Sequence, residues 1–488
     1  MVLVETDNCL ALHTDLYEIN MMYTYWRQNI ANRRAVFEYY FRNLPFHNGY
    51  AIFAGLEHLL SYLQNLKFTK DDINYLRNTG NYDEGFLTYL SNFKFTCTLR
   101  AVPEGSVVFD REPLIQVEGP LAQGQLIETI LLNIVNYQTL IATKAARIRW
   151  VAGHDLLLEF GSRRAHELDA AIWGTRAAYL GGFDATSNVK AGKIFGIPTS
   201  GTHAHSLVEV YQNDYAAFKA YAQTHTDCIF LIDTYDTLRS GLPAAIKVAK
   251  EFAGKINFKG VRIDSGDLAY ISKQVRRVLD QAGFNNVKIY ASNDLDENII
   301  QNLKLQHAPI DAWGVGTKLI TAYDQPALGG VYKLVAIADK NDHLIDTIKI
   351  SSTAVKTTTP GKKQVWRIIN KQTHKSEGDY VTFWNDDISK ATSLYMFHPN
   401  YSYLNKTITN FEAQPLLQVI YNKGKLVYHL PTLKEIRCYR QQQLLLLWDE
   451  YKRNLNPQYY PVDCSEKLWH QKIDYIQKIH HHFADKGE

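Results

Sequence analysis

Cysteine is scarce in this sequence and never paired. The five residues, Cys9, Cys97, Cys228, Cys438 and Cys464, are odd in number, scattered, and form no CxxC pair. A disulfide framework and a zinc knuckle are thereby excluded, and reduced thiols in a cytoplasmic setting are expected. Charge of one sign is missing too. Lys plus Arg is 53 against 50 for Asp plus Glu, a net charge of +3, which gives no electrostatic case for nucleic acid or an anionic membrane as partner. Any phosphate binding must be local. No apolar run reaches the ~18 residues of a membrane span. The N-terminus, MVLVETDNCLALHTDLYEIN, has acidic residues and no basic segment before an apolar run, so no targeting signal is read. HExxH and GxSxG are absent, which removes two common hydrolase classes, and so is the G-x-x-x-x-G-K-[ST] spacing of a P-loop.

What is present is a long chain of ordinary globular composition. Its 488 residues are 46% hydrophobic and 21% charged, enough for two or three domains and a deep site. Between 156 and 318, short apolar runs rich in β-branched residues alternate with helical patterns: LLLEF, IPTSG, CIFLID, GVRIDSG, VKIYASN and AWGVGTK. Near-continuous apolar character predicts strands covered on both faces of a parallel sheet. Polar residues and glycines cluster at the C-terminal ends of these runs, where parallel βα architectures bind ligands, so an α/β barrel is expected over 126–350. Residues 1–125 alternate strand patterns with Pro and Gly turns, as in a mixed α+β sheet domain. Residues 351–488 are expected to form a hairpin through Pro360-Gly361 and a mainly helical C-terminal region packed on the body.

The same pattern marks helix starts. Asp267 is predicted to cap a helix carrying Leu268, Ile271, Val275, Val278 and Leu279 and closed by Gly283. Asp294 with Glu297 has the spacing of a capping box.

Four constellations could carry chemistry. In FGSRRA, Phe160 to Ala165, a strand ends and two arginines open a helix. Arg163 could hold a carboxylate through two parallel hydrogen bonds, or could pair with Glu167 or Asp169 on the surface. In AWGVGTK, Gly314 and Gly316 could let backbone N–H groups approach a phosphate with Thr317 adding a hydroxyl, or could serve a tight turn needing positive φ. In VRIDSGD, Arg262 and Asp264 share a face if the strand runs that far. GTHAHS offers His203 and His205, which taken alone read more readily as core histidines than as a catalytic device. His480-His481-His482 reads as a solvated helix face, because contiguous histidines point in different directions.

Taken together and in order, HTDLYEINM, LLLEFGSRRAHE, GGFDATSNVKAG, GTHAHS, VRIDSGD and GVGTK resemble the nicotinate phosphoribosyltransferase family over residues ~10 to ~370. The resemblance implies an irregular α/β barrel of the type II phosphoribosyltransferases with an N-terminal mixed-sheet domain, in a homodimer with shared active sites. It implies condensation of nicotinate with phosphoribosyl pyrophosphate to nicotinate mononucleotide and pyrophosphate, the first step of NAD synthesis from nicotinate. ATP is the implied co-substrate through a transient phosphohistidine, and Mg²⁺ the implied cofactor.

By motif position, His205 is the phosphohistidine, Asp264 the acid facing it, and Arg262 the contact to the phosphoribosyl donor. Tyr17 stacks on the pyridine across the dimer interface, and Arg163 lies near its carboxylate. Gly201, Ser206 and Phe160 line the pocket. Ser292, Asn293, Gly314, Gly316 and Thr317 are assigned to substrate, the last two to the 5′-phosphate. ASNDLDE departs from the glycine-rich ASGGLDE form expected in many members. Three alternatives are carried forward: nicotinamide phosphoribosyltransferase, the ATP-independent quinolinate enzyme, and an inactive nucleotide-sensing paralogue.

Overall fold

A computed structural model describes residues 10–352 and 356–484. The chain divides into two compact units, Ile141–Pro326 and a second formed by Met1–Leu140 with Ala327–Glu488.

In the unit Ile141–Pro326, six parallel strands form one sheet in the order Ala185–Thr186, Leu156–Glu159, Ala312–Val315, Lys288–Ser292, Asn257–Ile263, Asp227–Leu231. Every pairing is parallel. Helices run between successive strands, which makes this an irregular α/β barrel. Five of the six apolar runs are strands, and the central strand Ala312–Val315 is buried at every position, as a sheet covered on both faces requires.

The sixth run corrects the expectation. IPTSG is not a strand; Thr199 makes a single bridge to Thr186. The proline at 198 has no N–H to donate, and the sheet position falls to the two-residue strand Ala185–Thr186.

Several polar residues between strands start helices. The side chains of Asn188, Asn213, Asp236, Asp267 and Asp296 each accept a backbone N–H from the first turn of the helix they cap. Asp267 caps Leu268–Gln281 as expected, and Gly283 follows with φ +87°. Val275 and Leu279 are buried on that helix together with Ala269 and Ser272. The box expected of Asp294 and Glu297 is not formed. Asp296 is the cap of Glu297–Leu305, and Glu297 is fully buried, 2.8 Å from both Lys144 Nζ and Arg147 Nε. Two buried cations outweigh a local cap, because an unpaired buried charge costs several kcal/mol.

The second unit holds an antiparallel sheet ordered Leu344–Asp346, Gly330–Ala338, Arg34–Phe41, Ile115–Pro120, Thr98–Ala101, Gln418–Asn422, Lys425–Leu426. Gly330–Ala338 pairs with Arg34–Phe41, so the strand expected inside a 126–350 domain belongs to the sheet of the N-terminal residues. A second sheet is ordered Phe411–Pro415, Lys363–Asn370, Ser376–Phe383, Val462–Cys464.

Two further expectations fail in this unit. Pro360-Gly361 is not the hairpin turn: Gly361 N–H donates to Val335 O, and the hairpin joins Lys363–Asn370 to Ser376–Phe383. The segment AVKTTTPGKKQVWRII reads from sequence as two strands around that turn, and its Ala354 and Val355 lie outside the described residues. The C-terminal region is not mainly helical up to 426, because Phe411 and Ala413 are buried while Glu412 between them is exposed, a period of two. Helices follow at Leu433–Leu446 and Glu466–Ala484. No helix among the described residues is long and apolar enough to cross a membrane.

Candidate active site

At the C-terminal ends of adjacent strands, strand order brings together residues distant in sequence. Tyr290 pairs with Arg262 across two parallel strands, so Ser292, two residues on, meets the end of the next strand. Arg262 is the hub. Its Nε donates to Ser292 Oγ at 2.8 Å, Nη1 to Thr202 Oγ1 at 2.9 Å and Nη2 to Asp264 Oδ1 at 3.1 Å. Its guanidinium lies 5.5 Å from the centre of the Phe160 ring. Ser292 Oγ also donates to Asp264 Oδ1. Burial works against the charge of the Asp264 carboxylate, but the Ser292 hydrogen bond and the Arg262 guanidinium hold it below the ordinary carboxylate range.

His205 opens the helix His205–Tyr211. Its Nε2 lies 3.6 Å from Asp264 Oδ2 and its Nδ1 3.1 Å from Thr234 Oγ1. The first distance is an ion-pair approach and not a hydrogen bond. The imidazole keeps 38% of its surface and is open to solvent. Asp233 supports this arrangement: its Oδ2 accepts from Asp264 N–H at 2.9 Å and Ser265 Oγ at 2.6 Å, and its Oδ1 is buried without a partner.

Glu159, fully buried at the end of its strand, accepts from Gly161 N–H, from Thr186 Oγ1 at 2.6 Å and from Thr175 Oγ1 at 3.0 Å. Burial raises its carboxyl pKa, and those donors offset part of the rise. It ties the turn that carries Arg163 to the barrel. Arg163 is exposed, and among the described residues it makes no ion pair with Glu167 or Asp169.

The glycines after Ala312 serve sterics and not positive φ. A Cβ on Gly314 would sit 2.6 Å from two carbons of the Phe160 ring. Gly316 has φ −118° and precedes the four-residue helix Thr317–Ile320. Asn293 and Asp294 have φ +93° and +42°, a left-handed backbone at the positions where the glycine-rich form would place glycine at no steric cost.

The structure thus joins Arg262, Asp264, His205, Ser292 and Phe160 in one contact set. Gly201, Ser206 and Asn293 are exposed, and among the described residues the side chains of Ser206 and Asn293 make no hydrogen bond to that set, although Ser206 follows His205 and Asn293 follows Ser292 in the chain. Tyr17, on the helix Leu16–Arg27 of the other unit, is 45% exposed. His480 is exposed, and the side chains of His481 and His482 lie outside the described residues. No cluster of three or more metal-ligating side chains occurs among the described residues.

Sequence reasoning assigned no role to Thr202, Thr234 or Glu159. For Glu159 a signal existed, a lone acid inside an apolar strand run. His203, also left without a role, is a core histidine. It is 8% exposed, Nδ1 donates to Ala204 O at 3.2 Å, and Nε2 accepts the N–H of Leu231 at 3.2 Å.

Known proteins share this sequence and fold. The profile of the nicotinate phosphoribosyltransferase (NAPRTase) N-terminal domain matches residues 12–136, that of the NAPRTase family 156–390, and that of the C-terminal domain 362–472. Nicotinate phosphoribosyltransferase of Bacillus subtilis (strain 168) is 57% identical over 97% of this chain and 96% of its own length. The chain belongs to the nicotinate phosphoribosyltransferase family. The Homo sapiens member is 33% identical over 94% of this chain and 95% of its own. The crystal structure of human nicotinic acid phosphoribosyltransferase superposes with TM-score 0.83 at 31% identity, covering 94% of this chain and 99% of that one. For a member of this family, the cluster around Arg262 is the candidate active site.

Proposed function

We propose that the chain condenses nicotinate with phosphoribosyl pyrophosphate to nicotinate mononucleotide and pyrophosphate, coupled to ATP through His205. The observation that carries the coupling is the placement of His205 between Thr234 and Asp264. We assign the neutral tautomer with the proton on Nε2, the nitrogen that faces the Asp264 carboxylate at 3.6 Å, so that Nδ1 keeps its lone pair. Nδ1 attacks the γ-phosphorus of ATP as the bond to the β–γ bridging oxygen breaks, and ADP leaves with the electron pair. Asp264 stabilises the resulting charged imidazolium. Water later cleaves the N–P bond.

In the transfer step, the pyridine nitrogen attacks C1′ while the C1′–O bond breaks and its electron pair departs with pyrophosphate. Arg262 is assigned to the donor's negative charge, and Arg163, which makes no ion pair among the described residues, to the nicotinate carboxylate. Tyr17 is proposed to cover the pyridine ring from a second copy of the chain, in a homodimer. Mg²⁺ fits the donor set, since it favours one or two carboxylates plus substrate phosphates and retained waters. Asp233, with its unpartnered oxygen, and Asp264 would face it. When bound, Mg²⁺ supplies charge neutralisation on the departing pyrophosphate.

Incubation with ATP labelled at the γ-phosphate tests the coupling. Acid-labile label on the wild-type protein, lost in His205→Ala, is expected. Label retained in His205→Ala, or none on the wild type, refutes the phosphohistidine.

A further inference from the structure

The unit formed by Met1–Leu140 and Ala327–Glu488 encloses a cavity to which the proposed chemistry gives no role. The cavity's volume is about 100 Å³, on the scale of cavities of ~150 Å³ that take up one benzene-sized ring. A single ring with a small substituent suits that volume. None of its lining residues belongs to the cluster around Arg262.

Three cations face the cavity, Arg111, Lys363 and Lys472. Two are held by carboxylates. Lys363 Nζ lies 2.8 Å from Glu38 Oε2 and donates to the carbonyls of Thr359 and Gly361. Arg111 Nε lies 3.5 Å from Asp110 Oδ2. Lys472 differs: among the described residues its only polar contact is Thr359 Oγ1 at 3.5 Å. Burial disfavours its charge most, Cys464 acts in the opposite sense, and Arg111 and Lys363 add repulsion. A largely buried ammonium with no anionic partner is costly, and a bound anion removes that cost.

The remaining walls are flat. Trp469 commits its indole N–H to Pro399 O at 2.9 Å and so presents its ring. His398 accepts the N–H groups of Asn400 and Tyr401 through Nδ1, each at 3.1 Å. Burial first, then Arg111, lowers its pKa and keeps the ring neutral. Tyr459 adds a third ring. Asp463 also lines the cavity, and burial pushes its carboxyl up to about 6, with Lys406 opposing.

We propose that this cavity binds a planar organic monocarboxylate, its carboxylate on the Lys472 ammonium and its ring among Trp469, Tyr459 and His398. The inference does not rest on the catalytic reading above. It is tested with the full chain and 4-fluorobenzoate, followed by fluorine NMR. Saturable binding is expected, weakened about tenfold or more in Lys472→Met, which keeps the apolar stem and removes the charge. Lys472→Arg should retain affinity. Arg163→Ala, which removes the carboxylate grip proposed at the active site, should leave this binding unchanged.

Absence of saturable binding overturns the proposal. So does loss of binding in Arg163→Ala with Lys472→Met unaffected, or stronger binding of inorganic phosphate than of 4-fluorobenzoate. If Lys472→Met does not fold, wild-type crystals soaked in 4-bromobenzoate decide. Bromine in the cavity with the carboxylate on Lys472 Nζ supports the site, and an empty cavity overturns it.

Discussion

The imidazole of His203 accepts the backbone N–H of Leu231 at 3.2 Å, on an edge strand of the parallel sheet. A side chain there does what a neighbouring strand would do elsewhere, and it can do so only while Nε2 is unprotonated. Burial lowers the His203 pKa to about 4; the Ala204 carbonyl opposes the shift, and Arg262 and His205 add to it.

A pH dependence of stability follows. The folded pKa lies below the ordinary 6.5, so the unfolded chain binds more protons between pH ~6.5 and ~4. This contribution is fully present above pH 6.5 and lost as pH falls, by about 2 kcal/mol at pH 5. Wild type should therefore lose more Tm between pH 7 and pH 5 than His203→Gln, which cannot titrate. Equal losses would remove the neutral His203 from the explanation.

Arg163→Ala should raise KM for nicotinate, with little change for phosphoribosyl pyrophosphate and none in Tm. Charge-assisted hydrogen bonds are worth about 1.5–3 kcal/mol, or roughly 10- to 150-fold in KM. An unchanged KM for nicotinate would take Arg163 out of the carboxylate site.

Gly314→Ala places a methyl group 2.6 Å from two Phe160 ring carbons. The ring must shift, and with it the surface beneath Arg262. A cost of about 1–3 kcal/mol and a fall in activity are expected, measured by chemical denaturation and turnover. Gly201→Ala, with open space around it, should leave stability unchanged.

The other unit has its own vulnerable centre. Arg367, 1% exposed, donates to Asp379 through Nε at 2.9 Å and Nη2 at 2.7 Å, and to Gln443 Oε1 and Val107 O. Glu112 is buried beside them, its pKa raised by burial, then by the Asp379 charge. Arg367→Met leaves the Asp379 charge buried and unpaired, at a cost of about 3–5 kcal/mol. Differential scanning calorimetry should find this loss; a loss below 1 kcal/mol would contradict the role given to the pair.

The parallel strands were legible because burial on both faces writes itself as a continuous apolar run. IPTSG misled through its apolar character, although the missing N–H of Pro198 is legible in the sequence and argues against a ladder strand. Ala185–Thr186 is too short to leave a period. Glu297 had the spacing of a capping partner, and no local signal reveals that Lys144 and Arg147 claim it. Arg262 and Asp264 were readable from their two-residue spacing. Their joining to Ser292 and Thr202 depends on which strands are neighbours, which one sequence does not state. The pairing of Gly330–Ala338 with Arg34–Phe41 is non-local in the same way.

The central claim is tested most directly by the initial rate of mononucleotide formation by the purified full chain with phosphoribosyl pyrophosphate, from nicotinate and from nicotinamide, each with and without ATP. Nicotinate mononucleotide should form, at a rate raised by ATP in the wild type and not in His205→Ala, with nicotinamide turned over far more slowly. Preference for nicotinamide, or no pyrophosphate release from either pyridine, would contradict it.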